Sequence, residues 1–224
     1  GTIYPNLGET GIGIGVFATT DAAHKRRLAE SLDLGGLESN DSLWVFSERV
    51  SALPPPAGLV SVDITQPGTV TTVGQFTPAT LDTGTYVSSH VLHFDPVANG
   101  SGVRRGSVTF DTNVLGIIVS TARLNASDAQ LQRPELPYAT TYAGRGAEFD
   151  GTAEQDSVTL SADRRTVTFA SHVSSGLDEI RVVTAVPPGS CGAVDAPPVD
   201  PIAAAPPREL SFAPPAPNPA RGVT

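Results

Sequence analysis

The segment Ser157–Val186, SVTLSADRRTVTFASHVSSGLDEIRVVTAV, decides the fold class. It holds three short runs rich in Val, Ile, Thr and Phe, at Ser157–Leu160, Thr166–Val173 and Glu179–Val186. The polar group Asp163–Arg165 separates the first two runs, and groups of this kind are typical of turns. The segment therefore predicts neighbouring antiparallel strands.

Similar runs recur upstream at short intervals, separated by groups such as Pro54–Pro56 and Asn99–Gly100. Many short strands joined by turns are typical of sandwiches and barrels. We therefore predict an all-β fold: an antiparallel β-sandwich, jelly-roll-like, with an N-terminal strand, one short helix and a Pro-rich C-terminal extension. The upstream runs are Leu43–Glu48, Gly58–Thr65, Thr69–Gly74, Thr85–Phe94, Gly106–Phe110 and Val114–Ser120.

Composition divides the chain into three segments. Residues 1–20 contain the N-terminal strand, and residues 21–186 form the β-sandwich domain. Residues 187–224 are rich in proline, which favours an extended linker over a packed domain. One main domain is therefore expected.

A helix is predicted over residues 22–32, because Thr20 or Asp21 can cap its start and glycines follow its end. The stretch 121–156 shows no strand pattern, so we predict a long loop there. Loops of this length in compact domains often carry function.

Charge excludes two classes of partner. The 224-residue chain has 23 acidic and 14 basic residues, for a net charge of −9. Nucleic acids and anionic lipids require a basic surface, so we expect neither as a partner. No run approaches the roughly 18 apolar residues of a membrane-spanning helix, so membrane insertion is not expected. The chain contains no Met, even at position 1, so Gly1 is a processed or engineered start, and we expect a removed signal peptide.

The C-terminal segment Leu210–Gly222, LSFAPPAPNPARG, resembles the opening of the sorting domains that direct proteins through the type IX secretion route of Bacteroidetes-related bacteria. In that family a small β-sandwich follows this motif. The resemblance implies export across two membranes, followed by release or attachment at the cell surface. It implies an extracellular or cell-surface location and no particular activity.

A second resemblance covers residues 40–185. This region is similar to an uncharacterised domain of secreted bacterial proteins that end in surface-sorting signals. That family also implies location without chemistry. The segments that carry the similarity include Asp41–Glu48, Ser89–Pro96, Gly106–Phe110 and Asp178–Thr184.

The sequence shows no catalytic motif, and we expect no enzyme activity. No Gly-x-Ser-x-Gly elbow is present. His90 and His93 are an odd number of residues apart on a predicted strand and so face opposite sides of it. This excludes a metal site that has both histidines as ligands.

Calcium is the one cofactor that the acidic residues suggest. His93 and Asp95 share a strand face, and Asp111, Glu148 and Asp150 could approach them in a folded sandwich. Calcium prefers such oxygen ligands, so Asp95, Asp111 and Asp150 are the candidate metal ligands. The alternative is that these carboxylates are solvated turn residues.

Tyr138 and Tyr142 lie in the predicted loop and are the candidate ligand-binding rings. Exposed aromatic faces can stack on sugar rings. They support an alternative function as a carbohydrate-binding or adhesion module with a polysaccharide partner. The other interpretation is that each tyrosine covers the core, as we expect for Trp44.

Two serines are candidate glycosylation sites. Asp41-Ser42-Leu43 and Asp156-Ser157-Val158 resemble the Asp-Ser/Thr-apolar signal for O-glycosylation in Bacteroidetes. The alternative is that Ser42 and Ser157 simply open strands.

The N-terminal strand suggests how the protein assembles. In Gly11–Phe17 glycine alternates with apolar residues, which places Ile12, Ile14 and Val16 on one face. With Phe17, such a strand can complete a neighbour's sheet, and head-to-tail donation builds a filament. We therefore predict a secreted cell-surface structural protein that forms a homopolymer by β-strand complementation. Alternatively, Thr10–Phe17 is the first strand of its own sandwich.

Overall fold

The computed structural model describes residues 14–17, 31–40, 42–52, 60–82, 84, 86–133, 136–151 and 155–186. Within these ranges it contains eleven strands and one α-helix. The helix, α1, is Thr121–Leu131. The strands are β1 (Ile14–Phe17), β2 (Leu43–Ala52), β3 (Ser61–Val62), β4 (Gly68–Val70), β5 (Ala79–Thr80), β6 (Val87–Phe94), β7 (Gly102–Thr109), β8 (Val114–Ile118), β9 (Ser157–Leu160), β10 (Thr166–Val173) and β11 (Asp178–Ala185).

Two antiparallel sheets pack face to face. The larger has five strands in the order β1-β2-β6-β11-β8, and the smaller has four in the order β4-β9-β10-β7. A third, two-stranded sheet joins β3 and β5. One hydrophobic core contains residues of both larger sheets, including Val45, Leu92, Ile117 and Val182 from the first and Val108, Val158, Val167 and Phe169 from the second. The predicted all-β sandwich is confirmed.

The four-stranded sheet is buried on one face only. Along β9 and β10 the exposure alternates, with Val158, Leu160, Val167 and Phe169 inward and the residues between them partly exposed. This period of two follows from the pleat of a strand. The sheet therefore presents a polar outer face to solvent.

The five-stranded sheet is covered on both faces. All eight residues of β6 are buried, as are the first seven of β11. Helix α1 and residues 31–40 and 136–146 supply the outer layer. Two hydrophobic clusters lie there: Leu32, Leu37, Trp44, Val91, Leu136 and Tyr138 in one, and Val60, Val62, Val87, Ile118, Leu124, Leu131 and Val183 in the other. Trp44 is buried as expected.

The position of the helix differs from the prediction. Helix α1 lies at the start of the stretch 121–156, so the prediction of a loop throughout that stretch is wrong. Its buried residues have a helical spacing, but two of the four, Ser127 and Asp128, are polar, so hydrophobicity alone did not reveal it. Most of the helix predicted over residues 22–32 lies outside the described residues. Its last residue, Leu32, instead forms a parallel bridge with Tyr138.

Candidate functional site

Strand β1 closes one side of the sandwich. Among the described strands it pairs with β2 alone, at the edge of the five-stranded sheet, and it also contacts β7, the edge strand of the facing sheet. Of the four predicted donor residues, Ile12 lies outside the described residues. The other three are paired as Ile14 with Phe46, Val16 with Trp44 and Phe17 with Leu43.

A buried ionic network lies between the five-stranded sheet and α1. Arg181 of β11 binds Glu48 of β2 through two bonds, Nε to Oε2 at 2.7 Å and Nη2 to Oε1 at 2.6 Å. Its Nη2 also donates to Asp128 at 2.9 Å, and its Nη1 donates to the Ser127 hydroxyl at 2.6 Å. One guanidinium therefore ties two strands to the helix.

A second guanidinium extends the network. Arg145 donates from Nη1 to Asp128 at 2.6 Å and from Nε to Glu179 at 2.6 Å. His93 contacts the other oxygen of Glu179 at 2.9 Å through Nδ1. Because a carboxylate only accepts, Nδ1 carries the proton of that bond. The ring of Tyr138 lies 5.4 Å from the Arg145 guanidinium carbon.

Charge complementarity sets the protonation of this network. Burial alone would raise the pKa of Glu179, but the His93 hydrogen bond and the Arg145 charge outweigh it and lower that pKa. Burial alone would lower the pKa of Arg181, but Glu48 and Asp128 outweigh it and raise that pKa. These partners therefore favour the ionised forms of Glu179 and Arg181.

The network is sealed from solvent. The side chains of Arg145, Arg181, Glu48 and Glu179 are all 0% exposed. A substrate has no access to a charge so completely enclosed and bonded. We therefore assign the network no reaction. Its role is to hold α1 and the segment around Arg145 against the sheet.

A second group of carboxyls lies at one end of the sandwich, between the sheets. Oxygen atoms of Glu148, Asp156 and Asp178 all lie within 4.8 Å of one another. Asp156 accepts the backbone N–H of Glu148 at 2.6 Å and that of His172 at 2.7 Å. Asp178 accepts the Ser171 hydroxyl of β10, which links the two sheets.

No arginine or lysine in the described part of the chain forms an ion pair with this group. None of the ion pairs found among the described residues includes Glu148, Asp156 or Asp178. Burial, reinforced by the like charge of Asp156, raises the pKa of Asp178 well above its usual value. The pKa values of Glu148 and Asp156 are also raised, chiefly by burial.

The structure does not assemble the predicted calcium ligands. Asp95, Asp111 and Asp150 form no group of converging ligand atoms, whereas Glu148, Asp156 and Asp178 do within the described ranges. Asp95 is buried and accepts the Gly35 N–H at 2.7 Å. Asp150 is exposed and forms a backbone bridge with Thr72. Calcium binding stays a prediction, without these three residues as a set.

No protein-family model, curated protein or solved structure matches the chain. Both resemblances described above therefore stay predictions. In the described part of the chain, no helix has the length and hydrophobicity needed to cross a membrane. The function has to be argued from the chain's own surfaces.

Neither candidate ring is an open platform. Tyr138 is 6% exposed and packs among Leu32, Trp44, Val91 and Leu136. Tyr142 is half-buried, and its hydroxyl donates to the Ser175 carbonyl at 2.9 Å. Tyr138 therefore covers the sheet, as the alternative interpretation expects. Carbohydrate stacking on this pair has no support in the geometry.

The two candidate glycosylation sites differ in exposure. Ser42 is 1% exposed, so an enzyme has no access to its hydroxyl in the folded domain. Ser157 is half-buried at the start of β9 and is more accessible. Modification of Ser42 would have to precede folding, and modification of either residue stays a prediction.

Sequence reasoning did not identify Arg145, Arg181 or Asp128 as important. One signal was present for Arg181, which stands among the apolar residues Ile180, Val182 and Val183 of β11. A charge inside such a run needs a buried partner. The partners come from residues far apart in sequence, so nothing local to Arg181 identifies them.

Proposed function

We propose that the protein is a secreted cell-surface structural subunit that polymerises by exchanging β1 between copies. The observation that carries the proposal is the position of β1. It is a four-residue strand at a sheet edge, and it lies where the edge strands of both sheets meet. An edge strand of this kind can be replaced by the same strand of another copy.

Strand exchange conserves the interactions at this edge. Leu43, Trp44 and Val45 of β2 are buried, and their backbone is paired with β1. Withdrawing β1 would leave the edge of β2 unpaired. A β1 strand from a second copy would restore the same backbone pairs and register, so exchange costs little once subunits meet.

The chain is long enough for exchange. Thirteen residues, 18–30, separate Phe17 from the packed segment 31–40. Extended, they can span about 45 Å, comparable to the width of a small domain. Donation from copy to copy is heterologous and does not close, so it produces a filament. The sorting-signal resemblance of Leu210–Gly222 supports a location at the cell surface.

Disulfide trapping tests the proposal. Ile14 and Phe46 are register partners, and opposite residues in antiparallel strands lie close enough for a disulfide. The variant carries Ile14→Cys, Phe46→Cys and Cys191→Ser. When assembled material is oxidised, we expect a ladder of covalent oligomers on a denaturing gel. Material that assembles but yields only cross-linked monomers would overturn the proposal.

A deletion provides a second measurement. Removal of residues 1–19 should leave monomers that no longer polymerise, as seen by electron microscopy. A synthetic peptide of residues 10–19 should bind the shortened protein, and a scrambled peptide should not. Filaments formed by the shortened protein would contradict strand exchange.

A further inference from the structure

The outer face of the four-stranded sheet carries a repeated motif. Each strand contains or begins a Ser/Thr-Val-Thr triplet: Thr69–Thr71, Ser107–Thr109, Ser157–Thr159 and Thr166–Thr168. The central valines, Val70, Val108, Val158 and Val167, are all buried in the core. Because side chains alternate along a strand, the flanking hydroxyls lie on the opposite, outward face.

Strand register arranges these hydroxyls in rows. Thr69 pairs with Thr159, Thr159 with Thr168, and Thr168 with Ser107, so one row crosses all four strands. Thr109 and Thr166 form a second, shorter row. Strands lie about 4.8 Å apart, and alternate residues on one strand lie about 6.7 Å apart. The result is a regular two-dimensional array, here called the hydroxyl face: Thr69, Ser107, Thr109, Thr159, Thr166 and Thr168.

Part of the hydroxyl face keeps free hydrogen-bonding capacity. Two pairs of hydroxyls bond across strands, Thr69 with Thr159 at 2.8 Å and Thr109 with Thr166 at 2.9 Å. One hydroxyl donates in each pair, so the acceptor keeps its own O–H and both oxygens keep lone pairs. These groups face solvent in fixed positions. A polyhydroxylated ligand could use both their donors and their acceptors.

The charge of this face differs from that of the whole protein. The chain has 23 acidic residues, yet no outward position of β4, β7, β9 or β10, as these strands are described, is Asp or Glu. Arg105 is exposed on the same face of β7, beside Ala170 of β10. His172 lies two residues further along β10. Much of the protein surface would repel an acidic ligand, whereas the outer face of the four-stranded sheet would not.

Other partner classes fit this face less well. A protein partner would need an apolar, aromatic interface core. The outward residues of these strands include one large exposed hydrophobic residue, Val103, at the edge. Nucleic acid would need several basic residues, and the face has Arg105 and His172. Ordered hydroxyls beside a guanidinium instead match a chain of hydroxyls and carboxylates, since arginine binds carboxylates through paired hydrogen bonds.

We propose that the hydroxyl face and Arg105 bind an extended acidic polysaccharide of the polyuronate class. The sugar hydroxyls lie on the Ser/Thr rows, and a uronate carboxylate pairs with Arg105. This site lies on the outward face of the four-stranded sheet, and binding to it does not require strand exchange. One subunit offers a shallow, weak site, and an array of subunits on a surface would multiply its effect.

Binding of the full chain to immobilised alginate, a polyuronate, tests the proposal against neutral dextran. We expect binding to alginate that weakens as salt is added, and weaker binding to dextran. Arg105→Gln should raise the dissociation constant about two- to fivefold, the range for one exposed ion pair. The double variant Thr159→Val, Thr168→Val should raise it about fivefold, as expected for a lost hydrogen bond.

Thr80→Val is the matched control, because Thr80 is an exposed strand threonine whose hydroxyl lies 3.3 Å from Ser61 in the separate two-stranded sheet. It should bind alginate like the wild type. Valine suits a strand, so the threonine variants should keep the wild-type circular dichroism spectrum. Lack of alginate binding, equal binding to dextran, or unchanged binding by Arg105→Gln and the double variant would each overturn the proposal.

Discussion

Asp178 and Glu179 are adjacent on β11, yet their carboxyl groups lie on opposite faces of the sheet in opposite electrostatic surroundings. Asp178 points between the sheets and bonds to Ser171 of β10, next to two further carboxyls. Glu179 points toward the outer layer, where Arg145 and His93 bind it. Burial and like charges raise the pKa of Asp178, whereas the hydrogen bond from His93 and the charge of Arg145 lower the pKa of Glu179. A rise in pH therefore removes the stabilisation that comes from protonated Asp178, whereas a fall in pH removes the stabilisation that comes from ionised Glu179.

Neutralising Glu179 should destabilise the fold strongly. Glu179→Gln keeps the size of the side chain but removes the charge that Arg145 faces at 2.6 Å in a fully buried site. Breaking a buried ion pair from one side costs about 3 to 5 kcal/mol, because the remaining charge stays buried. Urea denaturation at pH 7 measures this change. A loss below about 1 kcal/mol, typical of an exposed pair, would show that Arg145 is not held as described.

Neutralising Asp178 should have the opposite effect at neutral pH. The raised pKa means that the folded protein binds a proton more tightly than the unfolded chain does. This stabilisation is complete below the unfolded pKa, near 4, and is lost as pH rises through the folded value. Asp178→Asn mimics the protonated acid. We expect it to raise the free energy of unfolding at pH 8 and to flatten its dependence on pH above about 4.

Asp82→Asn is the control for this experiment, because Asp82 is exposed and its substitution removes the same charge at a site outside the acidic group. Its pH profile should follow that of the wild type. A lower free energy of unfolding for Asp178→Asn at pH 8 would contradict this prediction, because it would mean that the charge of Asp178 is compensated in the folded protein. Stabilisation of the wild type by added calcium, lost in Asp178→Asn, would instead indicate a cation site.

The fold class was predictable because strand signals are local. In β10 the alternation of Val167, Phe169 and Val173 with polar residues is visible in the sequence and matches the burial. Helix α1 was not predictable in the same way, because Ser127 and Asp128 occupy half of its buried positions. Their burial is satisfied by Arg181 and Arg145, which lie on other elements. A helix whose buried face is half polar has only a weak hydrophobic period.

The candidate sites divide in a similar way. The separation of His90 and His93 onto opposite faces was predictable from strand parity alone, and each histidine bonds on its own side. The acidic group was not predictable. Asp178 begins β11, Asp156 directly precedes β9 and Glu148 lies outside the strands, and the three converge only when the sheets pack. The exposure of the candidate tyrosine rings could not be predicted from the sequence either. Tyr138 lies in the predicted loop, but the packing of residues 31–40 buries it.

His90 should make the protein less stable as pH falls. It is buried between the sheets, with Nδ1 3.1 Å from the Ser47 hydroxyl, Nε2 3.3 Å from that of Thr184, and its ring 4.9 Å from Phe110. Burial lowers its pKa from 6.5 to about 4. The contribution of neutral His90 to stability is therefore complete above pH 6.5 and is lost as pH falls through about 4, by about 3 kcal/mol at about 1.4 kcal/mol per pKa unit.

The variant His90→Gln tests this, because glutamine keeps a neutral donor and acceptor but cannot be protonated in this pH range. Urea denaturation from pH 7 to 4 should show the wild type losing stability relative to this variant, because the variant retains Asp178 and Glu179 and their contributions cancel in the difference. A constant difference across this range would mean that His90 gains its proton as easily in the folded protein as in water, and so that water reaches it between the sheets.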